Sequence, residues 1–414
     1  MNATLLWHLF CQFLVLVTLC SAPITSYAFY QWRDDGTEIE LRGFARGIGL
    51  AANNPNDDVL FEDDEIIGGG VFGRLMLDIE WSKLSAEMHV VQSVLGDELR
   101  TGGSRFSSLI DVERSDGLHW RYGNGKADLV IDRLNVQYES DNFRLKLGRQ
   151  PINLATTFYF TPNDFFAPFA AQAFFRTYKP GVDAARLDWQ WSSYSQLSLI
   201  TVMDYESDLG QPTRWRTSPD WSETAYLARA STLTDNFEFG LVAASVSGND
   251  IMGFDFQGEI LDWFGLQGEG HLRFANEANI HRDAQFSLAI DKRWQNTLTL
   301  RLEHFYQRSG ANDSDDYQIN PIVGNNQFYL ARNYTALGAS YEFTPLWFGD
   351  AVYLFNHQDA SKLLALYSTY SLSDESELSV GINIPIGKQP EFGQLKTEFG
   401  SFPHSLTMEY RVYF

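Results

Sequence analysis

Hydrophobicity alternates residue by residue in one segment after another of this 414-residue chain, and a period of two is the signature of strands. Val71, Leu75, Leu77, Ile79 and Trp81 stand against Arg74, Asp78 and Glu80, while Phe143, Leu145 and Leu147 stand against Arg144 and Lys146. The same rule sets Leu298, Leu300 and Leu302 against Thr299, Arg301 and Glu303, and Leu378, Val380, Ile382, Ile384 and Ile386 against Ser379 and Asn383. A strand that is apolar on one face and charged on the other suits a wall between lipid and water. No stretch after residue 28 is apolar enough for a membrane helix, so a membrane crossing has to be made by a closed barrel.

The pattern predicts about eighteen strands (16–18), the first near 38–50 and the last near 404–414, an even number as bacterial barrels require. Connection lengths sort by parity. Short turns are expected at Ser82-Lys83, Ser140-Asp141, Ser192-Ser193, Thr234-Asp235, Phe264, Gln295 and Ser373-Asp374; long connections fall at 51–69, 97–127, 151–180, 206–221, 309–332 and 387–403. Short turns on one side and long loops on the other describe an all-β, transmembrane, antiparallel up-and-down β-barrel. Trp81, Trp189, Trp191, Trp263, Trp294 and Trp347 all fall beside short turns, where amphipathic rings would form the periplasmic aromatic girdle. A soluble chain of this length usually divides into two or three domains, yet no Pro/Ser linker or change of texture interrupts this one.

Both ends of the chain agree with that reading. From His404 onwards Leu406, Met408, Tyr410, Val412 and the terminal Phe414 share one face, and Thr407, Glu409, Arg411 and Tyr413 the other. Here the chain resembles bacterial outer-membrane β-barrels, whose last strand ends in Phe after alternating apolar residues and is read by the assembly machinery. The resemblance implies a Gram-negative outer-membrane location, with Tyr410, Val412 and Phe414 as the insertion signal. At the other end, an apolar run from Leu5 to Cys20 leads to the small-x-small site Ser26-Tyr27-Ala28. Residues 1–28 are therefore expected to be a signal peptide, 29–37 a periplasmic N-terminal segment and 38–414 the barrel. The n-region lacks Lys and Arg, which points to a mis-assigned start or a weak signal. Cys11 and Cys20 both fall in this leader, and Leu19 before Cys20 disfavours a lipid attachment signal.

Eighteen strands enclose a lumen wide enough for water, so a pore for small hydrophilic solutes is the expected function. Candidate lumen residues are Arg74, Arg144, Lys146, Arg186 and Arg301 on the basic side, and Asp78, Glu80, Asp188, Glu303 and Glu342 on the acidic side. Facing rows of opposite charge create a transverse field across such a path. The connection after Leu147-Gly148-Arg149-Gln150 carries Phe158, Phe160, Phe165, Phe166 and Phe169, too aromatic a set for a loop in water on both sides. It is expected to fold into the lumen as a constriction, or to pack across the interface of a homo-oligomer. Strand, Gly-Arg-Gln, long loop and the basic re-entry from Arg176 to Arg186 resemble the layout of alginate-export-like and other substrate-selective porins. Asn163, Asp164, Arg176 and Lys179 are the constriction candidates. Arg149 falls by alternation on the lipid parity, which places it at the rim or beside a bulge.

Excess acid, a net charge of −22, argues weakly for cation preference. The acidic runs at 53–58, 62–65 and 312–316 offer oxygen ligands for Ca²⁺ without the spacing of a known calcium loop, and otherwise read as hydrophilic loops linked to lipopolysaccharide through divalent ions. No cofactor, resident metal or nucleic-acid partner is expected. His89, His119, His271, His281, His304, His357 and His404 form no constellation with Ser and Asp that would mark a hydrolase. A structural or adhesive barrel acting with a partner protein is the alternative.

Deleting Phe414 removes the last outward aromatic of the closing strand. The variant is expected to remain unfolded in the periplasm and be degraded, and unaltered heat-modifiable migration on a gel would count against the barrel.

Overall fold

The computed structural model describes residues 30–34, 36–61, 63–96, 119–122, 127–173, 178–205, 219–246, 248–261, 263–275, 283–317 and 329–414. The expected leader at 1–28 and the candidate Arg176 lie outside the described residues.

Strands come one after another: β1 Tyr30–Asp34, β2 Thr37–Asn53, β3 Glu65–Trp81, β4 Leu84–Leu95, β5 His119–Tyr122, β6 Ala127–Glu139 and β7 Phe143–Gln150. Then follow β8 Val182–Ser192, β9 Ser195–Tyr205, β10 Pro219–Leu233, β11 Phe237–Val246, β12 Asn249–Ile260, β13 Phe264–Ala275 and β14 Asp283–Arg293. The last are β15 Thr299–Gln307, β16 Asn333–Thr344, β17 Trp347–Asn356, β18 Lys362–Ser373, β19 Ser376–Ile386 and β20 His404–Tyr413. All twenty belong to one antiparallel sheet, and β20 returns to pair with β2 from Asn53↔His404 to Phe44↔Tyr413. Beyond that ladder Gly43 N donates to Phe414 O at 2.7 Å and Phe414 N to Gly43 O at 2.9 Å. Two strands stand outside the ring: β1 pairs with β2 and β5 with β6. The wall is therefore a closed eighteen-strand barrel, as the alternation predicts.

Local differences from the expected boundaries have physical causes. Residues 30–34, within the segment 29–37 expected to precede the barrel, fold back on β2 in register Asp34↔Thr37 to Tyr30↔Leu41, through a turn at Gly36 with φ +84°. The strands β2 and β3 extend into the long connection expected at 51–69, because Leu50, Ala52 and Ile66 continue an inner apolar cluster with Ile48, Phe72 and Leu95.

Burial is inverted relative to a water-soluble protein. Large apolar side chains such as Leu134, Val136, Leu147, Leu241 and Leu302 are exposed on the outer face. Asp132, Glu269, Glu303, Thr407 and Glu409, on the inner face, are each at most 1% exposed. The outer belt is stable only against lipid, where covering one such side chain is worth about 1.5–3 kcal/mol. Trp81, Trp189, Trp191, Trp263, Trp294 and Trp347 are all exposed at the short-turn end, the positions of an aromatic girdle. In β20, Leu406, Met408 and Val412 follow the outer parity, while Tyr410 is buried opposite Gly47.

Leu302 is outward, between Leu337 and Ile290, whereas Gln257 is inward and hydrogen-bonded to Glu238 at 3.0 Å. Leu302→Arg is expected to impair folding, since a charge near the bilayer midplane costs about 2–4 kcal/mol. Gln257→Arg is expected to fold normally. Equal sensitivity in a refolding titration would invalidate the inside–outside assignment.

Candidate functional site

The connection from Pro151 to Gly181 begins where β7 breaks its own alternation. Gly148 has φ +110°, a conformation side chains rarely adopt, and a Cβ there would strike the carbonyl of Leu134. That twist carries Arg149 off the lipid parity: it is 2% exposed and meets Asp183 with Nε and Nη2 at 3.0 and 3.2 Å. Tyr205 donates its hydroxyl to the same carboxylate at 2.6 Å. A second irregularity lies alongside. The β4–β6 register slips between His89 and Val90, leaving Asp132 as an extra residue and turning Asp132 and Arg133 both into the interior. Asp132 then accepts from Arg74 Nη1 at 2.8 Å, Arg133 Nη1 at 2.5 Å and the Gly181 N–H at 2.8 Å. Buried charges persist only when paired and hydrogen-bonded, and both ends of the connection are tied down in that way.

Its middle is held by strands six and eight places further along. Glu269 on β13 accepts the backbone N–H of Thr156, of Thr157 at 3.4 Å and of Asn163 at 3.3 Å. Glu303 on β15 accepts those of Phe158, Tyr159 and Phe160 at 3.2, 2.9 and 2.7 Å, and the Ser287 hydroxyl at 2.8 Å. Asn163 adds a bond from Nδ2 to the Phe254 carbonyl at 3.0 Å. The aromatic residues then find apolar cover on two inner sectors. Phe160 stacks on Phe305 at 5.0 Å within a cluster that includes Tyr334, Leu354, Leu363 and Phe399. Phe165 and Phe166 pack against Ile152, Leu154, Ala184, Ile200 and Val202.

Among the constriction candidates, Asn163 is fully buried, and Asp164 and Lys179 form an ion pair with each other. Neither faces water singly: their side chains are 4% and 10% exposed, and Lys179 Nζ also reaches Asn153 Oδ1 at 3.2 Å. Wall charges are paired too. Asp78 meets Arg42 and His89 at 3.0 Å each, Lys146 meets Glu87 at 2.9 Å, and Arg186 meets Asp188 at 2.9 Å. Arg144 with Glu139, Glu342 with Arg293, and Glu80 are exposed near the short-turn rim. Alternation alone did not single out Arg46 and Arg411, direct register partners on β2 and β20 that share Glu409 at 3.5 and 2.5 Å.

Between the connection and the inner faces of β17–β20 lies a cavity of about 450 Å³. Phe158, Gln172, Asp350, Tyr367, Glu377 and Arg411 are among its walls. Phe158 is exposed, and the Arg301 guanidinium lies over its ring at 4.3 Å while donating to Ser340 Oγ at 2.9 Å. Ser340 in turn donates to Asp350, so aromatic, basic and acidic groups meet at one gap.

On the long-loop side, Asp57 accepts the N–H of Gly393 at 2.9 Å, Val59 at 3.0 Å and Leu60 at 3.1 Å. The bond from Gly393 leads in holding its carboxyl below the usual range, and the acidic run at 53–58 is knitted to the 387–403 loop. Among the described residues no group of three or more His, Cys, Asp or Glu is placed to hold a metal ion.

No protein-family model and no curated protein sequence matches this chain. Its structure is similar to Acinetobacter baumannii OccAB3, with a TM-score of 0.59 and 10% identity over 91% of this chain and 99% of that one. It is also similar to a BenF-like porin from Pseudomonas fluorescens Pf-5, at TM-score 0.57 and 10% identity over 91% and 99% of the two chains. Pseudomonas aeruginosa OccD3 (OpdP) gives a TM-score of 0.54 at 10% identity, covering 91% of each. The likeness is one of fold, and it extends over nearly the whole barrel.

Glu303→Ala leaves three loop N–H groups without their acceptor, each worth about 1–3 kcal/mol if buried unsatisfied. The barrel is expected to fold while Phe158 and Tyr159 become sites of rapid chymotrypsin cleavage. Unchanged protection of that segment would show that Glu303 does not hold it.

Proposed function

We propose that this protein is an outer-membrane porin through which small hydrophilic solutes diffuse, with the 151–181 connection folded inside the barrel as its constriction. The observation that carries this reading is the pair of carboxylates, Glu269 and Glu303, that hold residues 156–163 six and eight strands from where the connection leaves the wall. A segment bonded to the inner face at such a remove crosses the ring and narrows it. The fold shared with a BenF-like porin, and the outward apolar belt, support an integral outer-membrane location.

In this reading Asn163, Asp164 and Lys179 frame the constriction, with Arg176 on the same return segment. Arg301, Asp350, Glu377 and Arg411 form its charged edge. Charges of both signs in a low-dielectric wall act on a solute over a few ångströms, and they decide selectivity more than the total of −22 does. The machinery reads Tyr410, Val412 and Phe414 during insertion, after a signal peptide has directed export. No catalytic step is assigned.

Purified protein in a planar bilayer is expected to give open channels without any partner. Excising Thr157 to Phe169 should raise single-channel conductance severalfold without preventing assembly, because β7 and β8 stay paired with each other and with β6 and β9. Unchanged conductance in a folded excised barrel would place the connection outside the conducting path. Silence of the intact protein would favour a structural or adhesive role.

A further inference from the structure

The outer face carries one sector whose chemistry the channel does not use. In β15 to β18 the outward row changes character at one level, near the long-loop edge. The register aligns Leu302, Leu337, Tyr353 and Leu364 across the four strands, an apolar row. One step nearer the long-loop edge the aligned row is His304, Thr335, Phe355 and Lys362. His357 follows immediately beyond β17, its N–H donating to Asn333 O at 3.1 Å. Arg308, just past the end of β15, shares the outward parity and is exposed.

The two imidazoles are organised. Thr335 Oγ1 lies 3.1 Å from His304 Nδ1 and 2.8 Å from His357 Nε2, and the rings meet edge to face at 5.6 Å. A hydroxyl has one hydrogen, so it donates to one ring and accepts an N–H from the other. The remaining nitrogens, His304 Nε2 and His357 Nδ1, have no protein partner among the described residues, and both rings are exposed. No carboxylate lies within ion-pair distance of His304, His357, Lys362 or Arg308 among the described residues. Elsewhere the same edge is mixed: Glu65 on β3 and Asp250 on β12 are exposed and outward, and Asn53 on β2 and His404 on β20 share the row of Glu65.

We infer that this outward sector of β15–β18 binds the phosphate-bearing headgroup of a lipid in the outer leaflet. Imidazole, ammonium and guanidinium groups present donors and positive charge along one stretch of the long-loop edge, which matches an anion with several acceptor oxygens. The aligned apolar row directly beneath distinguishes a lipid from a free phosphate, since it gives acyl chains a surface continuous with the headgroup site. The inference rests on the membrane-spanning barrel and is independent of whether the lumen conducts.

Full-length protein in detergent can be titrated with bisphosphorylated lipid A, and with the same glycolipid after dephosphorylation, using native mass spectrometry to count bound lipid. The bisphosphorylated form is expected to bind with at least about tenfold preference, a difference of about 1.4 kcal/mol. His304→Gln with His357→Gln, and separately Lys362→Gln, are expected to abolish that preference. Heat-modifiable migration and bilayer conductance of these variants should be unchanged, since none of the three side chains faces the interior. Equal binding of both glycolipids, or full retention of the preference in folded variants, would overturn the proposal. So would stoichiometric Zn²⁺ capture by the two histidines without any binding of the phosphorylated lipid, and a gain from added inorganic phosphate alone would replace the lipid by a free anion.

Discussion

Everything in this molecule depends on the hydrogen-bonded seam between β2 and β20. In lipid an unpaired backbone N–H or C=O has no water to turn to, and an open sheet of this length would expose two rows of them. Ten register pairs from Asn53↔His404 to Phe44↔Tyr413 close that gap, and the reciprocal bonds between Gly43 and Phe414 extend it to the last residue. The terminal residue is thus a structural member of the wall. Only after closure is there an inside, and only then do the buried carboxylates acquire their neighbours.

The same accounting applies to the connection inside. Its described residues form neither helix nor strand and carry N–H groups that no ladder satisfies, and buried backbone donors must be paired. The wall supplies the acceptors: six of these N–H groups, from Thr156 to Asn163, end on Glu269 and Glu303. Glutamate suits this task because one carboxylate has room for several donors and each charge-assisted bond exceeds a neutral one. Phe160, stacked on Phe305 and tilted against Tyr334, then covers what the carboxylates position. Charge on the inner wall therefore serves two ends, cross-strand pairing as at Arg186–Asp188 and the support of irregular backbone.

Strand number, parity, the tryptophan girdle and most short turns were legible in the sequence because a period of two is local, although Phe264, expected as a turn, opens β13. It needs only a few neighbouring residues to declare itself. Features that depend on one extra residue or on remote partners were not. The twist at Gly148 and the bulge at Asp132 each shift alternation by a single place, enough to bring Arg149 and Arg133 indoors. Glu303 stood out as an inward charge, but its partners in the connection lie 143 to 145 residues away and nothing local marks them. Glu269 is similarly separated from Thr156 by 113 residues. Tyr30–Asp34 alternates only briefly, Tyr30 and Trp32 against Gln31 and Arg33, too short a run to declare a strand paired with β2. The inner row of β2, Phe44, Arg46, Ile48 and Leu50, mixes apolar and basic residues, which hid Arg46.

Glu269 and Glu303 grip the main chain of the connection, and every residue except proline offers the same N–H. Such an attachment is blind to side-chain identity. The residue at position 158 can therefore be exchanged over evolutionary time while the arch beneath it keeps its course, and the lineage can drift in what it admits without rebuilding how it stands. Selection on the solute and selection on the architecture act on different atoms of the same eight residues.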